Sequence, residues 1–430
     1  MRSSTRVLLA FGTGLMLAGA VAPAWAQEAT LTFRFNDPDQ EQMRAALDQF
    51  EKANPDIKVE LERMAWKDAR DQFLREAAVS TGPDVVHIAF VWAKEFGEAG
   101  AVLPLADSLE QSPPPNGLDD FIAMDLATGN DGSIYALPWT TDTWAMVYRT
   151  DLLEEAGIDK LPETWEELKD TSAKIHEATG KSGFMFPAGS SASGTLWFLA
   201  NYYWWSNGEA LVERKEDGSF GMDLTAADVT EAMDYFKSYL DDGEMPTSML
   251  GVSDWADPAI IRGLVEGQNA IGIMPPNTFQ AVLDAYAAAH PGEKLPFVSG
   301  PVPKGSETRA THLGGRMLAI NANTENPEAA WKLVRFLAEE EIFTDYYTTQ
   351  FPAQRSLLEE IEFAPEMEGY AEQLMHARSW GAYADGPAPI GAMWNAVGRG
   401  FGAALSGQRT TAEAGEEVVE TVGKMLADGQ

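Results

Sequence analysis

Between residues 30 and 91 the chain alternates between a two-residue and a helical hydrophobic period, and this alternation restricts the fold more than any other feature. Thr30-Leu-Thr-Phe-Arg-Phe-Asn36 sets Leu31, Phe33 and Phe35 against polar neighbours, the pattern of a half-buried strand. Asp37-Pro38-Asp39 then opens a helix with Met43, Leu47 and Phe50 on one face, closed at Asn54-Pro55. Ile57, Val59 and Leu61 alternate again, and residues 66–80 read as a second helix. Residues 84–91 form the continuous apolar run expected of a strand covered on both faces. The succession predicts an α/β fold with a parallel sheet and right-handed crossovers.

Farther along, residues 163–179, 226–241, 327–340 and 411–428 carry amphipathic helical patterns. Short β segments interrupt them at 135–138, 145–148, 270–274 and 317–321. A length of 430 residues suggests two or three domains. No flexible linker or internal repeat divides the chain, so the lobes of such a protein would be built from interleaved segments.

The N-terminus carries an address. Arg2 and Arg6 precede an apolar run at 7–22 and then Pro23-Ala24-Trp25-Ala26, which predicts a signal peptide cleaved after Ala26. Removing it leaves 404 residues with 29 basic and 66 acidic side chains, a net charge of −37. That excess argues against nucleic acid, whose phosphates are held mainly by Lys and Arg, and against an anionic lipid surface. It favours a soluble monomer. The chain has no cysteine, and its five histidines show no ligand spacing, so neither a metal nor another cofactor is expected.

Catalytic motifs fail on inspection. Gly180-Lys181-Ser182 lacks a phosphate loop's earlier glycine, since position 175 is Ile175. Gly189-Ser-Ser-Ala-Ser-Gly194 is one residue too long for a nucleophile elbow and reads as a polar loop. None of the 66 acids declares itself as half of a hydrolytic pair, which leaves a secreted glycosidase or lyase as the alternative function. The aromatic inventory says more: Trp66, Trp92, Trp139, Trp144, Trp204, Trp205, Trp255, Trp380 and Trp394 fall in loops or at strand ends. Core packing is the simplest account of any one of them. As a set they favour a carbohydrate, whose C–H face stacks on a flat ring while its hydroxyls meet polar groups.

Several stretches, in order, resemble the solute-binding proteins of carbohydrate ABC importers, the maltose- and trehalose-binding group. They are Phe50-Glu-Lys-Ala-Asn-Pro-Asp-Ile-Lys-Val-Glu-Leu61, Gly82-Pro-Asp-Val-Val86, Ala99-Gly-Ala-Val-Leu-Pro-Leu105, Tyr135-Ala-Leu-Pro138, Val147-Tyr-Arg-Thr-Asp-Leu-Leu153 and Pro162-Glu-Thr-Trp-Glu-Glu-Leu168. Gly267-Gln-Asn-Ala-Ile-Gly272, His312-Leu-Gly-Gly315 and Ala404-Leu-Ser-Gly407 follow. The resemblance implies a periplasmic binding protein-like fold: two α/β lobes, a ligand cleft and interleaved hinge crossings. It implies lobes of 27–140 plus 303–348 and 143–300 plus 350–430, with hinges near 139–145, 300–304 and 348–352. It also implies a periplasmic protein that binds a sugar without reacting it and hands it to a membrane permease.

The same resemblance supplies candidate ligand-binding residues. Asp39 starts the first helix, where an acid can accept sugar hydroxyls or simply cap the helix. Arg63 and Trp66 follow the second strand, and Trp92 the third. Asp142 lies at the first hinge, where the family sets an acid against the sugar. Asn277 stands where relatives often have a stacking aromatic, a role Phe279 or Trp255 could take over. Gly315 precedes Arg316, whose fork would suit vicinal hydroxyls, or an anionic group better still, if it enters the cleft; otherwise it pairs with an acid. Arg355 falls in a Pro-x-x-Arg stretch, and Trp380, Tyr383 and Trp394 flank Pro387-Ala-Pro389 on the expected cleft wall. A neutral di- or oligosaccharide, an anionic sugar and a polyol-linked osmolyte remain open as ligands.

Overall fold

A computed structural model of the chain describes residues 29–429 apart from 38–39, 65, 191 and 347–349. The expected signal peptide and Asp39 lie outside these described residues.

Two sheets organise the molecule. The first has six strands in the order Phe351–Pro352, Leu137–Asp142, Gly314–Ile320, Val85–Ala89, Ala29–Arg34, Ile57–Glu62. The three early strands pair in parallel, as their pattern predicts. Gly314–Ile320 inserts antiparallel between Val85–Ala89 and Leu137–Asp142, so the sheet is mixed rather than purely parallel. The second sheet runs Phe297–Gly300, Ala145–Arg149, Asn269–Met274, Ser182–Phe184.

Helices cover both sheets where the periodicity placed them. Gln40–Ala53 buries Met43, Leu47 and Phe50 against the first sheet. Ala226–Asp241 and Thr411–Asp428 each begin with a Thr capping box that satisfies two otherwise free N–H groups. Helix Ser193–Ser206 departs from expectation. It is apolar all round, so no stripe marks it, and it lies inside the second core with Trp197, Trp204 and Trp205 buried. Trp204 and Trp205 are therefore helical core residues, not loop aromatics. Trp139 is likewise buried, its indole donating to the Leu337 carbonyl at 2.7 Å.

The chain passes between the sheets three times. It leaves the first after Asp142 and enters the second at Ala145, then returns between Gly300 and Gly314. The third passage runs through and beyond the expected 348–352: Phe351–Pro352 pairs with the first sheet while the Phe351 side chain packs in the second core, and Leu357 lies in the first. Ile361 packs on the first core and Phe363 on the second.

Candidate functional site

The parallel strands of the first sheet point their carboxyl ends at the gap between the sheets, the usual place for a ligand in an open α/β fold. Asp37 follows the first of these strands, and Asp142 ends Leu137–Asp142. Gly314 and Gly315 clear the space beside them. A Cβ at Gly314 would collide with the Asp142 carboxylate, and one at Gly315 with the Thr140 carbonyl and the Phe90 ring. Gly315 also takes φ +148°, and the register shifts between Arg316 and Met317. The extra residue is Trp139 on the neighbouring strand, which bends that strand beside Arg316, and Arg316 reaches Asp142 and Asp37 across the gap.

A charge network results. Arg316 Nη1 donates to Asp142 Oδ2 at 3.2 Å, and its Nε lies 3.8 Å from Asp37 Oδ1. Asp37 accepts from Trp66 Nε1 at 2.6 Å and from Gln350 Nε2 at 2.9 Å. The guanidinium sits 4.6 Å from the Trp66 ring centre, a cation–π contact. On the other side of Asp142, His312 Nε2 is 3.7 Å away while its Nδ1 meets the Tyr202 hydroxyl at 2.6 Å.

Burial alone would raise the Asp37 carboxyl; the Arg316 guanidinium and the hydrogen bonds outweigh it and hold the group below the usual carboxylate range. Burial acts likewise on Asp142, where His312 and Arg316 reverse it. Burial, aided by Arg316, pushes His87 down to about 3 despite Asp37 nearby, so its ring is neutral at ordinary pH. Two carboxylates thus share one guanidinium. Arg316 faces the gap, but its charge is already committed.

Around this network lies an inner cavity of about 210 Å³. Asp142, Arg316 and Gln350 form one side; Trp144, Phe198, Pro275, Asn277 and His312 complete it. Arg316 Nε and Gln350 Oε1 are buried there without a hydrogen-bond partner. A second, outer cavity of about 590 Å³ lies between the segment 90–98 and the segment 380–394. Its wall includes Trp92, Trp380 and Trp394, and the lobes meet beside it through the Lys94–Asp385 ion pair and the Ser379–Asp125 hydrogen bond.

Of the residues expected at a site, Asp142, Asn277 and Arg316 line the inner cavity, Trp92 and Trp380 line the outer one, and Trp66 holds Asp37 and Arg316. Gly315 acts through the backbone. Arg63 and Arg355 are exposed and line neither cavity. Tyr383 is core: its hydroxyl donates to Asn201 Oδ1 and accepts from Leu211 N and Trp205 Nε1. Phe279 is buried against Phe297 and Tyr370, and Trp255 packs edge-on against Trp144. Neither replaces an aromatic at Asn277; Trp144 and Phe198 supply the rings of the inner cavity instead.

Sequence reasoning passed over Asp37, His87, His312, Gln350, Trp144 and Phe198 as site residues. Asp37 shares its Asp-Pro-Asp with the expected Asp39, and His312 opens a stretch already matched to relatives. Phe198 gives no signal, because its helix shows no polar face.

A family model described as bacterial extracellular solute-binding protein matches residues 36–342. A binding protein of Brucella abortus (strain 2308) is 25% identical over 344 residues, covering 75% of this chain and 79% of its own length. The maltotriose-binding protein of Pyrococcus abyssi is 24% identical over 80% of this chain and 70% of its own. Among solved structures, the GacH receptor of Streptomyces glaucescens, studied unliganded and with acarbose, superposes with a TM-score of 0.78. That match has 22% identity and covers 94% of this chain and 100% of the receptor, so the two share a two-lobed fold.

Proposed function

The chain belongs to the bacterial extracellular solute-binding protein family, and from that premise we propose that it is the sugar-capturing component of an ABC importer. The observation that carries the reading is the inner cavity. Groups anchored on the two sheets surround one small void, whose wall sets Asp142, Asn277, His312, Arg316 and Gln350 beside two aromatic rings, the mixture of hydrogen-bonding groups and apolar faces that a sugar requires. Trp144 and Phe198 offer ring faces for the C–H side of a sugar. The name of the maltotriose-binding relative points the same way.

Residues 29–142 with 314–361 move as one lobe, and 145–300 with 363–429 as the other. A ligand touching both stabilises the closed form by its differential affinity alone. The Lys94–Asp385 pair then closes the mouth, and the shut form is what a permease recognises. No bond in the solute breaks. Because Asp37 and Asp142 already neutralise Arg316, the bound sugar is neutral rather than anionic. The protein reaches the periplasm by the signal peptide cleaved after Ala26 and works there as a monomer. Among the described residues no helix is long and apolar enough to cross a membrane.

Thermal-shift screening of neutral, acidic and amino sugars tests the reading, since a tight ligand raises stability by mass action. A neutral saccharide should raise the melting temperature and be recovered intact after overnight incubation. Recovery of hydrolysed or eliminated product would make the protein an enzyme, and a response to acidic sugars alone would refute the charge argument.

A further inference from the structure

Segment 377–385 is rooted in the second lobe and reaches the first. Ala377–Arg378 pairs with Thr311–His312, and the Arg378 guanidinium lies 4.8 Å from the Trp205 ring centre. Trp380 stacks on Trp197 at 5.5 Å, and the Tyr383 hydroxyl is held by Asn201, Leu211 and Trp205. These contacts fix the segment to the core around helix Ser193–Ser206. Its other side makes three contacts with the first lobe. Ser379 Oγ donates to Asp125 Oδ2 at 3.0 Å, Ala384 packs on the cluster of Phe90, Phe96 and Leu126, and Asp385 pairs with Lys94.

The Ser379–Asp125 bond is exposed, whereas the ion pair is sheltered. The Lys94 and Asp385 side chains are only 18% and 21% exposed, so salt and water screen them less than a pair in open solvent. Lys94 stands on helix Ala93–Glu98, which Phe96 roots in the first lobe, so neither partner can follow the other when the lobes part. None of the residues in these three contacts lines the inner cavity. Opening breaks all three, whatever that cavity holds.

We propose that segment 377–385 is a clasp that holds part of the population shut before any solute arrives, with the Lys94–Asp385 pair setting how large that part is. A ligand shifts an equilibrium only by its differential affinity for the two states, and the clasp biases the same equilibrium from outside the inner cavity. It therefore raises the affinity of every solute that prefers the shut form by one common factor, the gain in the competent fraction. The clasp does not depend on the solute being a sugar.

The chain has no cysteine, so two introduced thiols can be labelled selectively. Glu98→Cys and Gly391→Cys line the outer cavity from opposite lobes; Glu98 is exposed, and a Cβ at Gly391 meets nothing within 4 Å. Nitroxides at both sites report the separation of the lobes by double electron–electron resonance, on protein unfolded, dialysed and refolded to remove any carried solute. In the otherwise native background a short-distance population should be present. Asp385→Lys should cut the ratio of short to long distances about fivefold or more, and Asp385→Asn, which removes one charge without adding another, should fall between. Combining Lys94→Asp with Asp385→Lys should restore most of the native ratio. A native background showing only the long distance, an unchanged ratio in Asp385→Lys, or a double variant no more closed than the single one overturns the clasp. Each of these results leaves sugar capture standing, because no solute enters the measurement.

Discussion

Replacing Arg316 by methionine leaves two buried carboxylates facing one another without a countercharge. In the native protein the Asp37 and Asp142 side chains are only 3% and 11% exposed, and Arg316 itself is 20% exposed. Removing one member of a buried ion pair typically costs about 3–5 kcal/mol, because the partner's charge stays behind. The partial exposure of Arg316 places the expected loss near the lower end, roughly 3 kcal/mol at pH 7.5. The pH dependence distinguishes this cause from lost packing. With Arg316 present, both acids titrate below their ordinary values, so their stabilising contribution is present above the unfolded carboxylate range and is lost only as pH falls through the lower folded values. Without it, burial governs and Asp37 titrates above its unfolded value. The variant's native state then binds more protons than its unfolded state in that window, so acidification restores stability. The gap between variant and native protein should narrow by up to about 1.4 kcal/mol per pH unit for each acid so shifted. Urea unfolding followed by tryptophan fluorescence at pH 7.5, 6 and 5 measures it. A loss under about 1 kcal/mol, or one of constant size across the three pH values, would refute the charge network as the reason for the loss.

Three further outcomes follow from named contacts. Asp142→Asn should weaken the best sugar about tenfold or more in isothermal titration, the usual worth of a hydrogen bond to a charged group; unchanged affinity removes this residue from the site. His87, held near 3 by burial, stays unprotonated in the fold while the unfolded chain takes up a proton below its ordinary value of about 6.5. Stability should therefore drop by roughly 1.4 kcal/mol per unit between pH 6 and 4, and His87→Phe, which fits among Phe35, Trp66 and Trp139, should flatten that slope in urea titrations. Gly315→Ala sets a Cβ against the Thr140 carbonyl and the Phe90 ring at a φ that other residues avoid. A loss of about 2–4 kcal/mol is expected, and an unchanged thermal melt would show that this position tolerates a side chain.

The regular parts of this fold are written locally. Leu31, Phe33 and Phe35 against polar neighbours give a strand, and Met43, Leu47 and Phe50 give a helix, because each faces core on one side and water on the other. Helix Ser193–Ser206 is illegible for the converse reason: surrounded by core, it has no contrast to read. The site is written less locally still. Asp142 and Arg316 are far apart in sequence, and what joins them is a bulge and two glycines whose meaning emerges only when strand Gly314–Ile320 inserts beside Leu137–Asp142. Arg63 and Arg355 rest on likeness to relatives, and in the fold both are exposed and away from the two cavities.

The threefold passage between sheets has a consequence for the order of assembly. The first sheet begins at Ala29 yet keeps an interior slot open for Gly314–Ile320, so for most of synthesis its early strands have an unfilled neighbour. The second sheet needs nothing beyond Gly300. The strands of the second sheet should consequently pair sooner, although the helices within 363–429 that complete its core are made last. Pulse-labelled amide exchange during refolding should find Ala145–Arg149 and Asn269–Met274 protected ahead of Val85–Ala89, and the reverse sequence would show that the early strands assemble without their late partner.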